Sequence, residues 1–311
     1  MTATVIEQPR SQLWQPQHQA VPADEVIPVL SPRWQFVRAA LVVAFVLSLS
    51  VLVHFVFVSR LQQSATQRHG YDTFRADLAR GTAPVGPTDN KGRELGAGVP
   101  VAYLEIPAIG LEQVIGESTT PGVLFAGPGH RRDTPLPGQV GTSVVYGRRA
   151  MFGGPFADLD QLAEGDLIRV TTGQGEFDFH VRGVRRAGDP VPAPLAAGSA
   201  RLLLATAAGP AFLPSGVLRI DADLDGKAVG GAARLVSAAD LPAEEQIMAN
   251  DTRTVWALVL WLQALIALAL GAVWAWHRWG KAQTWVVFLP PLLLIGLLAS
   301  SEAARLLPNL A

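Results

Sequence analysis

No cysteine occurs in the 311 residues. Disulfides, thiolate metal sites and cysteine nucleophiles are therefore excluded together. The absence leaves the compartment open, because a domain above mini-protein size folds on its core alone. Charge is scarce too. Only 16% of residues are Asp, Glu, Lys or Arg, and the formal net charge is -1, which argues against a nucleic-acid binder. Lysine is confined to Lys91, Lys227 and Lys281, so arginine dominates the positive charge. What is abundant is apolar: 49% of residues are hydrophobic and mean hydropathy is +0.27, which points to membrane segments. The wealth of Ala, Gly and Pro reflects a GC-rich bacterial genome.

Residues 1–33 are polar and Pro-rich without periodicity, and read as a disordered cytoplasmic tail. Residues 37–58 form an apolar stretch whose start is flanked by Arg33 and Arg38. At ~1.5 Å per residue it reaches across a ~30 Å bilayer core. Arg60 and a polar run follow it rather than a small-residue cleavage site, so an uncleaved anchor over residues 34–59 is expected. His54 lies in it. Two more spans are expected at residues 254–277 and 284–307, separated by HRWGKAQT, whose Arg278 and Lys281 place that loop in the cytoplasm. Trp256, Trp261, Trp274, Trp276, Trp279 and Trp285 fall near the expected interfaces. Pro290-Pro291 predicts a kink in the last span, and Glu302 and Arg305 sit near its outer end. The expected topology has the N-terminus cytoplasmic, and both the middle region and the C-terminus extracytoplasmic in the plasma membrane.

Between the spans, residues 60–99 predict a helix leaving the membrane, then a Gly/Pro-rich linker. Residues 100–235 break into short strands, AYLEIPAIG, EQVIGES, TSVVYG, DLIRVTTG, EFDFHVRGVRRA, RLLLATAA and GVLRIDADL, punctuated by Gly and Pro as in a β-barrel or sandwich. One short helix is expected at residues 156–162. Residues 236–253 form a second linker, helical in part. The fold class is thus mainly β, an extracytoplasmic barrel with three transmembrane α-helices.

The order LEIPAIG, then GPGH, LPGQ, VVYGRRAMFGGPF and GDLIRV, then RLLLATA, resembles the sortase family, and most of all its actinobacterial class E members. The resemblance covers residues 100–225. Sortases are transpeptidases that join surface proteins to the cell wall or to pilins. The family chemistry needs a cysteine that attacks an LPxTG-like sorting signal, a histidine that handles the leaving-group proton, and an arginine that steadies the oxyanion. Carried over position by position, Ala207 stands where the cysteine belongs and Arg148 where the histidine belongs. Val217, or Gly216 if the alignment slides by one, stands where the arginine belongs. Arg219 shares the face of Val217 and could stand in for the missing charge. Thr206 adjoins Ala207 but points to the opposite strand face. His130 survives outside the catalytic segment.

The resemblance therefore implies a pseudo-enzyme with no catalytic residue, no metal and no cofactor. Its groove, with Arg148, Arg149, Thr206, Arg219 and His130 as candidate ligand residues, would hold a sorting-signal-like peptide; the two arginines favour an acidic or carboxylate ligand. The bland account of Arg148-Arg149 is a solvated strand end. A second possibility is a structural subunit docked on another membrane protein as well as the lipid bilayer. A third is a different chemistry using Asp158, Asp160, His130 and Asp133, although these show no recognisable triad, dicarboxylate or metal-ligand spacing. His130 with Asp133 reads as a turn hydrogen bond, and His180 as an ordinary strand residue.

Overall fold

The computed structural model describes residues 32–210, 213–233, 235–249 and 254–310. The tail expected over residues 1–33 lies outside them except for its last two residues, which open α1. Residues 43–311 form one compact unit. Helix α1 (Pro32–Val53) runs into a single π turn (His54–Val58) and on into α2 (Ser59–Arg80). Gly81 ends α2 at φ 67°, and its amide bonds back to the carbonyls of Asp77 and Leu78; this left-handed stop is one glycine adopts without a Cβ penalty.

The barrel is closed and has eight strands: β1 (Pro100–Ile106), β2 (Leu111–Glu117), β3 (Gly129–His130), β4 (Gly141–Tyr146), β5 (Leu167–Thr172), β6 (Gly175–Arg185), β7 (Ala200–Ala208) and β8 (Gly216–Leu224). Around the barrel they run β1-β2-β3-β4-β7-β8-β6-β5. Most pairs are antiparallel, but β2 with β3 and β4 with β7 are parallel. The seven expected strands are all present. Strand β3 is the addition, and with two residues it is too short to show alternation.

Alternation sorts the side chains. Val145, Leu202, Leu204, Leu218 and Ile220 point into the main core with Leu104, Phe156 and Phe179. Their neighbours Val144, Tyr146, Ala205, Ala207 and Val217 form a second buried cluster on the outer face. Period-two side chains make this division obligatory.

The helix expected at residues 156–162 reduces to one 3-10 turn, Leu159–Gln161. The Phe156 amide is committed to the Arg148 carbonyl at 3.0 Å, and its ring is buried in the barrel core. That closes a loop where a helix would have to nucleate. The stretch expected as a linker over residues 236–253 is in part a packed strap. Among its described residues the regular piece is a 3-10 turn, Ala243–Glu245. Leu241 and Glu245 are buried, Thr119 Oγ1 donates to the Glu245 carbonyl at 2.7 Å, and Arg132 Nε donates to Glu245 Oε2 at 3.1 Å.

Helices α4 (Val255–Trp279) and α5 (Lys281–Arg305) form a hairpin turning at Gly280. Both are long and apolar enough to cross a membrane. Of the three expected spans, these two pass that test among the described residues; α1 is helical, but many of its side chains lie outside the described set. Helix α5 continues through Pro290 and Pro291. Trp274 meets Trp279, and Trp276 meets Trp285, edge to face around the turn.

Candidate functional site

The site forms where three strands end together. Parallel pairing sets Tyr146 of β4 beside Ala205 of β7, and antiparallel pairing sets Ala207 opposite Val217 and Ala208 opposite Gly216. Gly147 continues the ladder, its amide bonding to the Ala205 carbonyl at 3.1 Å. A Cβ on Gly147 would lie 2.4 Å from the Phe156 ring, so only glycine fits between ring and ladder.

Arg148 follows, and it is 0% exposed. Its guanidinium carbon lies 4.6 Å from the Phe125 ring centre and 5.7 Å from that of Phe152. The two rings stack at 4.1 Å. Phe152 is held at φ 52°, a strained value for a non-glycine residue. Burial pushes the Arg148 guanidinium down to about 9, which still leaves it a cation at neutral pH. The aromatic faces compensate part of the desolvation cost. A permanent cation walled off from water has neither the pKa nor the access of a proton shuttle.

Arg149 is mostly buried. Its Nη2 donates to Asp160 Oδ2 at 2.8 Å and its Nη1 to the Ala207 carbonyl at 3.4 Å. The guanidinium holds the Asp160 carboxyl below its ordinary value. The arginine pair is therefore not a solvated strand end. Aromatic rings of α3 (Pro121–Ala126) and of the loop after β4 enclose one member, and an acidic partner fixes the other.

The remaining candidates separate. Ala207 lies on the outer face with Val217, Val144, Tyr146 and Leu124, an apolar wall. Thr206 is buried on the inward face, its hydroxyl without a hydrogen bond among the described residues, so it does not join Ala207. Arg219 sits opposite Ala205 and Arg185, partly exposed on the face of Val217. His130 bonds Glu117 Oε2 through Nδ1 at 2.9 Å and the Pro135 carbonyl through Nε2 at 3.0 Å. The turn hydrogen bond expected between His130 and Asp133 is replaced by these two. Asp133 instead holds Arg131 at 2.7 Å. His180 is an exposed strand residue whose Nδ1 meets the Gly165 carbonyl. Asp158 is bonded by Gln161. No group of three or more His, Cys, Asp or Glu suited to a metal occurs among the described residues.

Two features had no local signal in the sequence. Phe125 reaches Arg148 only through the tertiary fold. Leu310, beyond α5, is 0% exposed and belongs to the Ala207 cluster.

A comparison with curated proteins found no match. Among solved structures the chain is similar to sortase E from Streptomyces avermitilis, with 27% identity over 47% of this chain and 97% of that one, at a TM-score of 0.35. It is similar to a Clostridium perfringens sortase D5 transpeptidase, with 20% identity over 52% of this chain and 99% of that one, at 0.44. A third is Clostridium perfringens sortase C with the C-terminal cell wall sorting motif, 19% identical over 52% of this chain and 89% of that one, at 0.39. Within the eight-stranded sortase-like barrel, residues 104–207 match the family model of the sortase domain.

Proposed function

We propose that this chain is a membrane-anchored sortase-fold module without transpeptidase chemistry, serving the cell envelope as a binding or assembly element for a peptide tail. One observation carries the reading. The place the resemblance assigns to the nucleophile is Ala207, in an apolar wall, and the place of the proton shuttle is Arg148, fully buried under two phenyl rings. No group there can attack a carbonyl, and no group there exchanges protons near neutrality. His130 does not substitute, because both its nitrogens are engaged by Glu117 and Pro135.

The anchoring belongs to the same reading. Helices α4 and α5 supply a membrane hairpin, and α1 supplies the entry span. Asn309 and Leu310, just past α5, pack on the barrel and its strap. This supports a barrel on the same side of the bilayer as the end of α5.

The test is turnover by the full chain in detergent, using a fluorogenic LPxTG-type peptide. The expected result is no cleavage above the buffer rate. Cleavage that disappears in a His130→Gln variant would overturn the proposal.

A further inference from the structure

We infer that the groove between β4, β7 and β8 is closed in cis by residues 306–310, which act as a built-in peptide ligand. This rests on reading that face as a peptide site and names its occupant. After Arg305 the chain leaves the helix and turns onto the barrel. The Arg149 amide donates to the Leu310 carbonyl at 3.1 Å, and the Asn309 amide donates to the Ala249 carbonyl at 2.9 Å. Both are main-chain bonds, one to each wall, made by a segment that runs in turns, so that backbone as well as side chains hold it.

Side chains add selectivity. Leu310 enters the apolar cluster of Leu124, Val144, Tyr146, Ala207 and Val217. Ala205 and Ala207 have the smallest side chains of that wall. Asn309, 0% exposed, donates from Nδ2 to the carbonyls of Glu244 at 2.8 Å and Gln246 at 3.3 Å. The second wall is the strap, itself fixed to the barrel by Thr119 and Arg132.

The fit is incomplete in one respect. Asn309 Oδ1 is buried without a hydrogen bond among the described residues, a cost that weakens the hold of the segment. The arrangement is that of an autoinhibitory plug: a tethered occupant at high effective concentration that a free peptide of similar chemistry must displace.

The chain's lack of cysteine makes a clean test possible. A single Ala207→Cys substitution places one thiol in the buried cluster that Leu310 enters. In the full chain in detergent, maleimide labelling of that thiol is expected to be at least about tenfold slower than in the same protein carrying Leu310→Asp or lacking residues 306–311. In parallel, a fluorescein-labelled peptide Leu-Leu-Pro-Asn-Leu-Ala is expected to bind the shortened protein and to bind the full chain at least about tenfold more weakly. Circular dichroism establishes that each variant is folded, and Leu310→Asp serves if the deletion is not. Equal labelling in folded variants, or equal or absent peptide binding, overturns the plug. The turnover assay is independent of both readouts, so failure of the plug and failure of the inactive-enzyme reading remain distinct.

Discussion

The imidazole of His130 faces the Glu117 carboxylate through Nδ1 and, through Nε2, the Pro135 carbonyl and the Thr134 hydroxyl; the carboxylate and the carbonyl only accept, which favours the protonated ring. Burial works against that charge most strongly, but the charge and hydrogen bond of Glu117, the Pro135 carbonyl and Asp133 outweigh it, and the pKa rises above the ordinary 6.5. A raised folded value means the pair stabilises the fold fully below 6.5 and loses its contribution as pH climbs through the folded value. The melting temperature is therefore expected to fall over that alkaline-going window. Glu117→Gln, which leaves a buried cation unpaired, is expected to cost about 3–5 kcal/mol below it and to flatten the pH dependence. Thermal unfolding of the full chain in detergent at a series of pH values checks both. At this scale the sequence was partly legible. Strand alternation already separates Thr206 from Ala207. It says nothing of the burial of Arg148, because that depends on Phe125 and Phe152 closing over it from two different segments.

Among the elements, α2 is clamped to the barrel by polar side chains. Its Gln67 uses both ends of one amide: Nε2 donates to the carbonyls of Val114 and Ala126, and Oε1 accepts from the Val114 amide at 2.7 Å. Gln63 bonds Gln113 one turn earlier, and Tyr71 packs on Tyr103 at 5.0 Å. Gln67→Ala is expected to lower stability by about 1–3 kcal/mol, since it strips partners from part-buried main-chain groups. Hydrogen exchange should report faster exchange at the Val114 amide; unchanged exchange and stability would count against the clamping role of Gln67. The strands were readable because Gly and Pro bound runs of alternating β-branched residues. The helix expected at residues 156–162 was not realised, because the Phe156 ring is worth more in the barrel core than a helical turn is at the surface. The strap of residues 241–249 was hidden for the converse reason: its polar, Pro-containing sequence has no period, and partners distant in sequence order it.

The whole molecule makes a topological prediction. With no native thiol to interfere, an exposed Asp225→Cys is expected to react with a membrane-impermeant maleimide in intact cells, and Lys281→Cys only after permeabilisation. The reverse pattern would invert the proposed orientation. The sequence by itself determined the seven longer strands and the apolar C-terminal helices in their order, since hydropathy runs and strand alternation are local properties of covalent spacing. It also excluded thiol chemistry, because a missing atom cannot be restored by folding. Only the tertiary structure decided the surroundings of Arg148 and Ala207. Closing the barrel brings the ends of β4, β7 and β8 together, lays the rings of Phe125 and Phe152 over Arg148, and gathers Leu310 into the buried cluster that contains Ala207. Those contacts join residues far apart in the chain, and burial, charge state and occupancy are properties of such contacts rather than of any local stretch.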